Sequence, residues 1–377
     1  MSVDFLKSPT PPREDADYMR AALALARRGL GRTAENPSVG ALIVRDGVIV
    51  GQGWTQDGGR PHAERMALDA AGGLSRGATM YVTLEPCSHH GKTPPCANAI
   101  VAAGVVRVVS ALEDPDPRVA GQGHEILRRG GVEVATGVCA EEALRVTLGH
   151  VVRVREGRPM VTLKLAETLD GFAAGDEHDP RLTITSAPAN ARTHVFRAQH
   201  AAIMVGIGTA LADDPLMTVR GPGLEDRKPL RVVLDARLAL PPRSRLATSA
   251  RETPVLLLAG AEADAAHAKI LHESGVEIAP VALDADGRVD LKDALIALAQ
   301  RGITRVFSEG GPRVGAALIA QGLADEVVIF TAPKPHGRGT PALSTEARAI
   351  LDDPARYTLV EDAKLGPDRM RRYERVL

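Results

Sequence analysis

The residues of this chain best suited to chemistry are His62, Glu64, Cys87 and Cys96. One imidazole and two thiolates fill three corners of a tetrahedral zinc site and leave the fourth for water. Zinc lowers the pKa of such a water toward about 7, so a hydrolytic nucleophile becomes available at neutral pH. Glu64, two positions after the histidine, is placed to move protons on that water without ligating the metal. On the residues alone a closed structural zinc site, with His89 or His90 as fourth ligand, stays open. It leaves Glu64 without a task.

These side chains need elements to hold them. The sequence predicts a helix over His62–Ala71, a strand at Thr79–Leu84 just before Cys87, and a helix from Pro95 to Ala103 that begins at Cys96. Helix N-termini carry partial positive charge and favour both a thiolate at Cys96 and an anionic Glu64. Around them stand a helix at Asp15–Gly29 and a hairpin, Ala41–Val44 and Val48–Val50, turned by Asp46-Gly47. A strand at Val105–Ser110, a helix at Gly123–Arg129, a strand at Val132–Thr136 and a helix at Ala140–His150 follow. The alternation implies a three-layer αβα domain with a mixed sheet.

Residues 155–159, charged and holding Gly157 and Pro159, read as a linker between domains at 15–154 and 160–377, with 1–14 a proline-containing loose leader. The second domain shows apolar strands at Met160–Leu165, Ala202–Val205, Arg231–Leu234, Val255–Leu258, Val276–Ala279, Arg305–Phe307 and Glu326–Phe330. Short apolar runs between helices imply a mostly parallel sheet. Gly206-Ile207-Gly208 lacks the third glycine of a dinucleotide fingerprint and is weak alone. Glu309-Gly310-Gly311-Pro312 sits between a strand and a helix, where backbone amides suit a phosphate, although a plain strand-to-helix turn reads the same way.

Composition narrows the partners. The 46 basic and 47 acidic residues nearly cancel, and aromatic residues make up 3%, which argues against a nucleic-acid binder. No apolar run approaches a membrane span and no signal peptide is visible. Three cysteines, two at metal spacing, fit a reducing, cytoplasmic setting.

The layout of His62, Glu64, Cys87 and Cys96 is that of the zinc nucleobase deaminases, except that eight residues separate the cysteines where two are usual. That longer loop resembles the bifunctional riboflavin-biosynthesis deaminase–reductase family, whose T-L-E-P-C-S-H-x-G-x-T-P-P-C stretch matches Thr83–Cys96. The family's N-P-x-V-G and D-P-x-P segments appear as Asn36–Gly40 and Asp114–Pro117. The resemblance implies a cytidine-deaminase-like domain followed by a dihydrofolate-reductase-like α/β domain, one zinc per chain, NADPH, small pyrimidine ribosyl phosphate substrates and a homo-oligomer. It implies that His62, Cys87 and Cys96 bind zinc and that Glu64 shuttles protons. Asn36, His89, Lys92, Asp114 and Asp116 would hold the deaminase substrate.

In the second half, Lys164–Gly171, Gly206–Arg220, Glu309–Pro312 and Ala332-Pro333-Lys334 match the family's reductase motifs. By that likeness Ala166, Thr209, Asp213 and the turn Gly311, Pro312, Arg313, Val314, Gly315, Ala316 and Ala317 contact NADPH. Arg197, Met217, Arg220 and Glu309 hold the substrate, with Lys164 and Asp213 weaker candidates for polarising the sugar imine or relaying protons. His178, His194 and His200 read as surface or satisfied side chains. The chain departs from the family pattern at Thr55, Asp116, Phe172, Arg181 and Thr183. These departures leave a rival reading, a deaminase whose second domain does not reduce.

Overall fold

The computed structural model describes residues 14–88, 94–117, 119–176, 179 and 182–376. The leader through Arg13, His89, Lys92, His178 and Arg181 lie outside the described residues. The chain divides into two compact units, Met1–Val154 and Arg155–Leu377.

The first unit runs α1 (Asp15–Ala26), β1 (Gly40–Arg45), β2 (Val48–Trp54), α2 (Ala63–Ala71), β3 (Thr79–Val82), α3 (Cys96–Ala102), β4 (Arg107–Ser110), α4 (Gln122–Arg129), β5 (Glu133–Thr136) and α5 (Ala140–Glu156). Its sheet has the order β2-β1-β3-β4-β5. The first three strands are antiparallel and the last three parallel, the mixed sheet the sequence implied. Asp46 and Gly47 turn the hairpin with φ of 51° and 77°, the positive values a two-residue type I′ turn needs. Alternation along β1 builds two cores. Ala41 and Ile43 pack toward α2, α3 and α4, whereas Leu42 and Val44 pack toward α1 and α5.

Two glycines let α2 lie directly on β2. A Cβ at Gly51 would stand 2.3 Å from the Ala67 carbonyl oxygen, and one at Gly53 only 2.5 Å from that of Ala63. The helix that carries Glu64 is therefore pressed onto the sheet at its first turn.

The second unit adds β6 (Met160–Glu167), β7 (Phe172–Ala174), α6 (Ala187–Ala198), β8 (Ala202–Gly206), α7 (Ile207–Asp213), β9 (Leu230–Leu234), α8 (Arg245–Thr248), β10 (Val255–Ala259), α9 (Ala265–Glu273) and β11 (Glu277–Pro280). Then come α10 (Leu291–Gln300), β12 (Arg305–Ser308), α11 (Pro312–Ala320), β13 (Glu326–Thr331), β14 (Thr340–Pro341), α12 (Thr345–Leu351), β15 (Tyr357–Leu365) and β16 (Asp368–Arg375). The large sheet has the order β11-β10-β9-β8-β12-β6-β13-β16-β15. Strands β11 through β13 in that order are parallel, and β16 and β15 extend it antiparallel. Helices α10, α11 and α12 cover one face, and α6 to α9 the other.

Two expectations need correction. The helix expected to end at His150 continues to Glu156, so Arg155 and Glu156 are helical rather than linker. Arg158 is 2% exposed, and its guanidinium grips Asp325 through two hydrogen bonds of 2.7 and 2.8 Å. Arg158 is thus paired inside the second unit, with Glu156 beside it at 2.8 Å, whereas Arg155 is exposed. The hairpin β15–β16 was not expected either, because its strands are dominated by charged residues.

Candidate active sites

His62 is the N-cap of α2 and Glu64 lies in its first turn, while Cys96 opens α3. Cys87 follows the end of β3, where the Ala97 N–H donates to its carbonyl at 3.2 Å. These elements bring the three proposed ligands together. His62 Nδ1 lies 3.4 Å from Cys96 Sγ and 3.7 Å from Cys87 Sγ, and all three ligand atoms fall within 4.8 Å of one another. Bonds of about 2.3 Å to sulfur and 2.0–2.1 Å to nitrogen put a tetrahedral N···S edge at roughly 3.6 Å. The donor set therefore fits zinc in type and spacing.

Its electrostatics agree. The Cys96 side chain beside it, aided by the His62 ring and the Cys96 backbone N–H at 3.3 Å, holds the Cys87 thiol down to about 4. Cys96, hydrogen-bonded to Cys87 and buried, is pushed up. Burial raises the Glu64 carboxyl above the usual carboxylate range, with Cys87 adding to the rise and His62 opposing it. Glu64 is 4% exposed, so it is a desolvated acid–base group beside the ligands and not a solvated charge.

Two loops carry the other residues expected at the deaminase site. Asn36 is half-buried in a turn closed by Thr33 Oγ1 donating to the Asn36 carbonyl at 2.7 Å. Thr55, where the family often has histidine, is buried, and its hydroxyl accepts the Val39 N–H at 3.0 Å. Asp114 and Asp116 lie on the loop between β4 and α4, joined by the Asp116 N–H donating to Asp114 Oδ1 at 2.9 Å.

Sequence reasoning missed what orders that second loop. The Glu85 carboxylate, wholly buried, accepts four backbone N–H groups, from Asp114 and Gly121 on one oxygen and Gly123 and His124 on the other. Glu85 directly precedes Pro86-Cys87, so the strand end that presents a zinc ligand also anchors the Asp114 loop. Glu85, Glu113 and His124 form a second cluster with metal-ligand spacing. The four N–H bonds already occupy both Glu85 oxygens, which leaves that cluster a structural role.

In the second unit the site residues gather at the C-terminal ends of β6, β8 and β12. The helix after β8, α7, packs on one face of the sheet and α11, after β12, on the other. Adjacent parallel strands whose connections diverge leave a crevice at their carboxyl ends, the usual ligand site of open α/β sheets. Thr209 Oγ1 accepts the Gly311 N–H at 3.1 Å and ties the two helix starts together. Arg313 is exposed at the start of α11, whereas Gly315 lies over Leu163 and Leu165, and Val314, Ala316 and Ala317 pack against the core. Asp213 ends α7, and Ala166 is half-buried on β6.

Arg197, on the last turn of α6, pairs with Glu309; Nη2 reaches Oε2 at 2.9 Å, and Nη1 donates to the Thr218 carbonyl at 2.8 Å. Glu309 is held below the usual carboxylate range by Arg197, against the opposing effect of burial, and Lys164 adds to the lowering. Arg220 donates through its backbone N–H to His194 Nδ1 at 3.2 Å. His194, set aside from the sequence, thus stands beside the two arginines; its spacing of three from Arg197 along one helix was the available signal. Met217 is 2% exposed in the core cluster beneath α7 and α8, so its side chain is not available to a ligand. Phe172 opens β7 and Thr183 is exposed ahead of α6.

Two family models match the chain. The cytidine and deoxycytidylate deaminase zinc-binding region matches residues 12–112, and the RibD C-terminal domain matches residues 159–368. The riboflavin biosynthesis protein RibD of Aquifex aeolicus is 41% identical over 325 residues, 86% of this chain and 88% of its own. The chain belongs to the RibD family. The Escherichia coli RibD is 38% identical over 94% of this chain and 98% of its own. The solved RibD of Acinetobacter baumannii, form 1, superposes with a TM-score of 0.83 at 34% identity, over 96% of this chain and 99% of that one. A Thermotoga maritima structure described as a diaminohydroxyphosphoribosylaminopyrimidine deaminase/5-amino-6-(5-phosphoribosylamino)uracil reductase gives 0.81 at 34% identity, over 96% and 99%. In RibD terms the first unit is the zinc-dependent deaminase half and the second the reductase half. Among the described residues no helix is long and apolar enough to cross a membrane.

Proposed function

We propose that this chain catalyses two steps of riboflavin biosynthesis. The first is hydrolytic deamination of 2,5-diamino-6-ribosylamino-4(3H)-pyrimidinone 5′-phosphate. The second is NADPH reduction of the ribosyl group of the resulting 5-amino-6-(5-phosphoribosylamino)uracil to ribityl. The observation that carries the reading is the convergence of His62, Cys87 and Cys96 at tetrahedral spacing, with buried Glu64 beside them.

His62, Cys87 and Cys96 would hold zinc, which when bound would lower the pKa of a hydrolytic water. Glu64 takes the proton of the attacking water and passes it to the departing amine; the ring carbon loses a C–N bond, gains C=O, and ammonia leaves. Asn36, Asp114 and Asp116 orient the pyrimidine and its sugar, and His89 and Lys92 take the phosphate.

The turn Gly311–Ala317 with Ala166, Thr209 and Asp213 would hold NADPH, which when bound would supply the hydride that reduces C1 of the opened sugar. Arg197, Arg220 and Glu309 hold the substrate in the same crevice, bidentate guanidinium groups being suited to a phosphate. Met217 contributes through its backbone. Lys164, on the same strand as Ala166, would polarise the sugar imine. The reading includes a cytoplasmic homo-oligomer acting on small molecules and not on nucleic acid or membrane. The family resemblance, the balanced charge and the free cysteines support those parts.

Incubation with the diaminopyrimidinone phosphate, with and without NADPH, tests the reading when ammonia and cofactor are followed separately. Ammonia in both arms and NADPH loss in one support it. Ammonia without NADPH loss reduces the chain to a deaminase with a non-reducing second domain.

A further inference from the structure

We propose that His150 and Arg153 of α5 are positioning residues of the deaminase site, holding Asp114 and the Asn36 turn where the substrate needs them. The inference rests on the functional reading above. His150 Nε2 lies 3.2 Å from Asp114 Oδ1, with the two side chains 13% and 12% exposed. The same oxygen accepts the Asp116 N–H at 2.9 Å, and the Asp114 N–H is taken by Glu85 at 3.1 Å. Oδ1 is thus doubly occupied. Among the described residues no donor reaches Oδ2, which is left to a ligand.

His150 Nδ1 is buried and unpartnered, so Nε2, where the acceptor stands, is the nitrogen that donates. Three residues on, along the same helix face, Arg153 donates from Nη1 to the Glu35 carbonyl and from Nη2 to Glu35 Oε2, each at 3.2 Å. Glu35 directly precedes Asn36. Helix α5 is itself fixed to the sheet through Ala143 and Val146. One rigid helix face therefore grips both loops that carry substrate-facing residues. A carboxylate whose orientation is locked before binding meets its ligand without the cost of ordering it.

The test compares His150→Phe and His150→Gln with wild type in ammonia release from the diaminopyrimidinone phosphate. Zinc content and the reductase rate are measured alongside. The phenylalanine variant raises KM about tenfold and alters kcat by less than about threefold, the size of one lost charge-assisted hydrogen bond. It keeps its zinc and its reductase rate. Glutamine, which still offers an N–H near the Nε2 position, restores KM to within about twofold of wild type. Because His150 acts through Asp114, adding His150→Phe to Asp114→Ala worsens KM no further. Should the phenylalanine chain not fold, His150→Asn, too short to reach Asp114, takes its place with the same expectations.

An unchanged KM in His150→Phe overturns the positioning role. So does a KM penalty as large in the Asp114→Ala background as in wild type. A wild-type chain that releases no ammonia brings down the functional reading and this inference together. A deaminating wild type with an indifferent His150 variant removes this inference alone.

Discussion

Glu85 Oε1 accepts the Gly123 N–H at 2.8 Å, and the backbone there leaves no room for a side chain. A Cβ at Gly123 would stand 1.9 Å from the Pro86 carbonyl oxygen and 3.1 Å from Glu85 Oε1. Gly123→Ala therefore pushes α4 and the Asp114 loop away from Cys87. The expected outcome is a rise of about tenfold or more in KM for deamination, with the reductase rate unchanged. Glu85→Gln places an N–H against backbone N–H donors and should act in the same direction. Steady-state ammonia release, with NADPH oxidation as the internal control, checks both.

The bond between Thr209 Oγ1 and the Gly311 N–H joins the two helix starts that frame the reductase crevice. Thr209→Val keeps the shape and removes the acceptor. The dissociation constant for NADPH should rise roughly three- to tenfold, the range of one neutral hydrogen bond. Fluorescence titration of bound NADPH measures it without turnover, and deamination should not change.

Much of this was legible in the sequence because the relevant signals are local. His62, Glu64, Cys87 and Cys96 sit at helix starts and strand ends that the motif itself delimits. The apolar strands of the parallel sheet are short buried runs, visible as such. What was hidden depends on partners distant in the chain. Glu85 looks like any acidic residue until four backbone N–H groups arrive from residues 114–124. The β15–β16 hairpin conceals its alternation because its charges pair across strands, Arg369 with Asp362 and Arg372 with Glu361 and Glu326. Arg158 read as linker for the same reason, since Asp325 lies far away in sequence.

Asp325 has no exposed side-chain surface and accepts Arg158, Arg375 and the Val161 N–H. Asp325→Ala leaves two arginines facing an uncompensated site. Breaking such a buried pair costs about 3–5 kcal/mol. The second unit should melt on the order of 10 °C lower. Differential scanning calorimetry reads this directly, and loss of the transition shift would remove the anchoring role.

Burial, reinforced by Arg305, holds the His200 ring down to about 3, and its nitrogens meet the Phe196 carbonyl and Thr162 Oγ1. Between pH 6.5 and 3 the unfolded chain therefore binds a proton that the folded chain refuses. Stability contributed by neutral His200 is intact above pH 6.5 and falls on acidification, by up to about 1.4 kcal/mol per unit. His200→Gln cannot titrate, so its stability should decline less steeply over that window in urea melts at stepped pH.

The central claim is a zinc site whose proton carrier is Glu64, working beside an independent reductase. Glu64→Gln keeps the shape and all three ligands but cannot take up a proton. Its zinc content, ammonia release and NADPH oxidation with the deaminated intermediate are measured on one preparation. The account predicts one zinc per chain, ammonia at the background rate and NADPH oxidation at the wild-type rate. Ammonia release at the wild-type rate from that variant would contradict it.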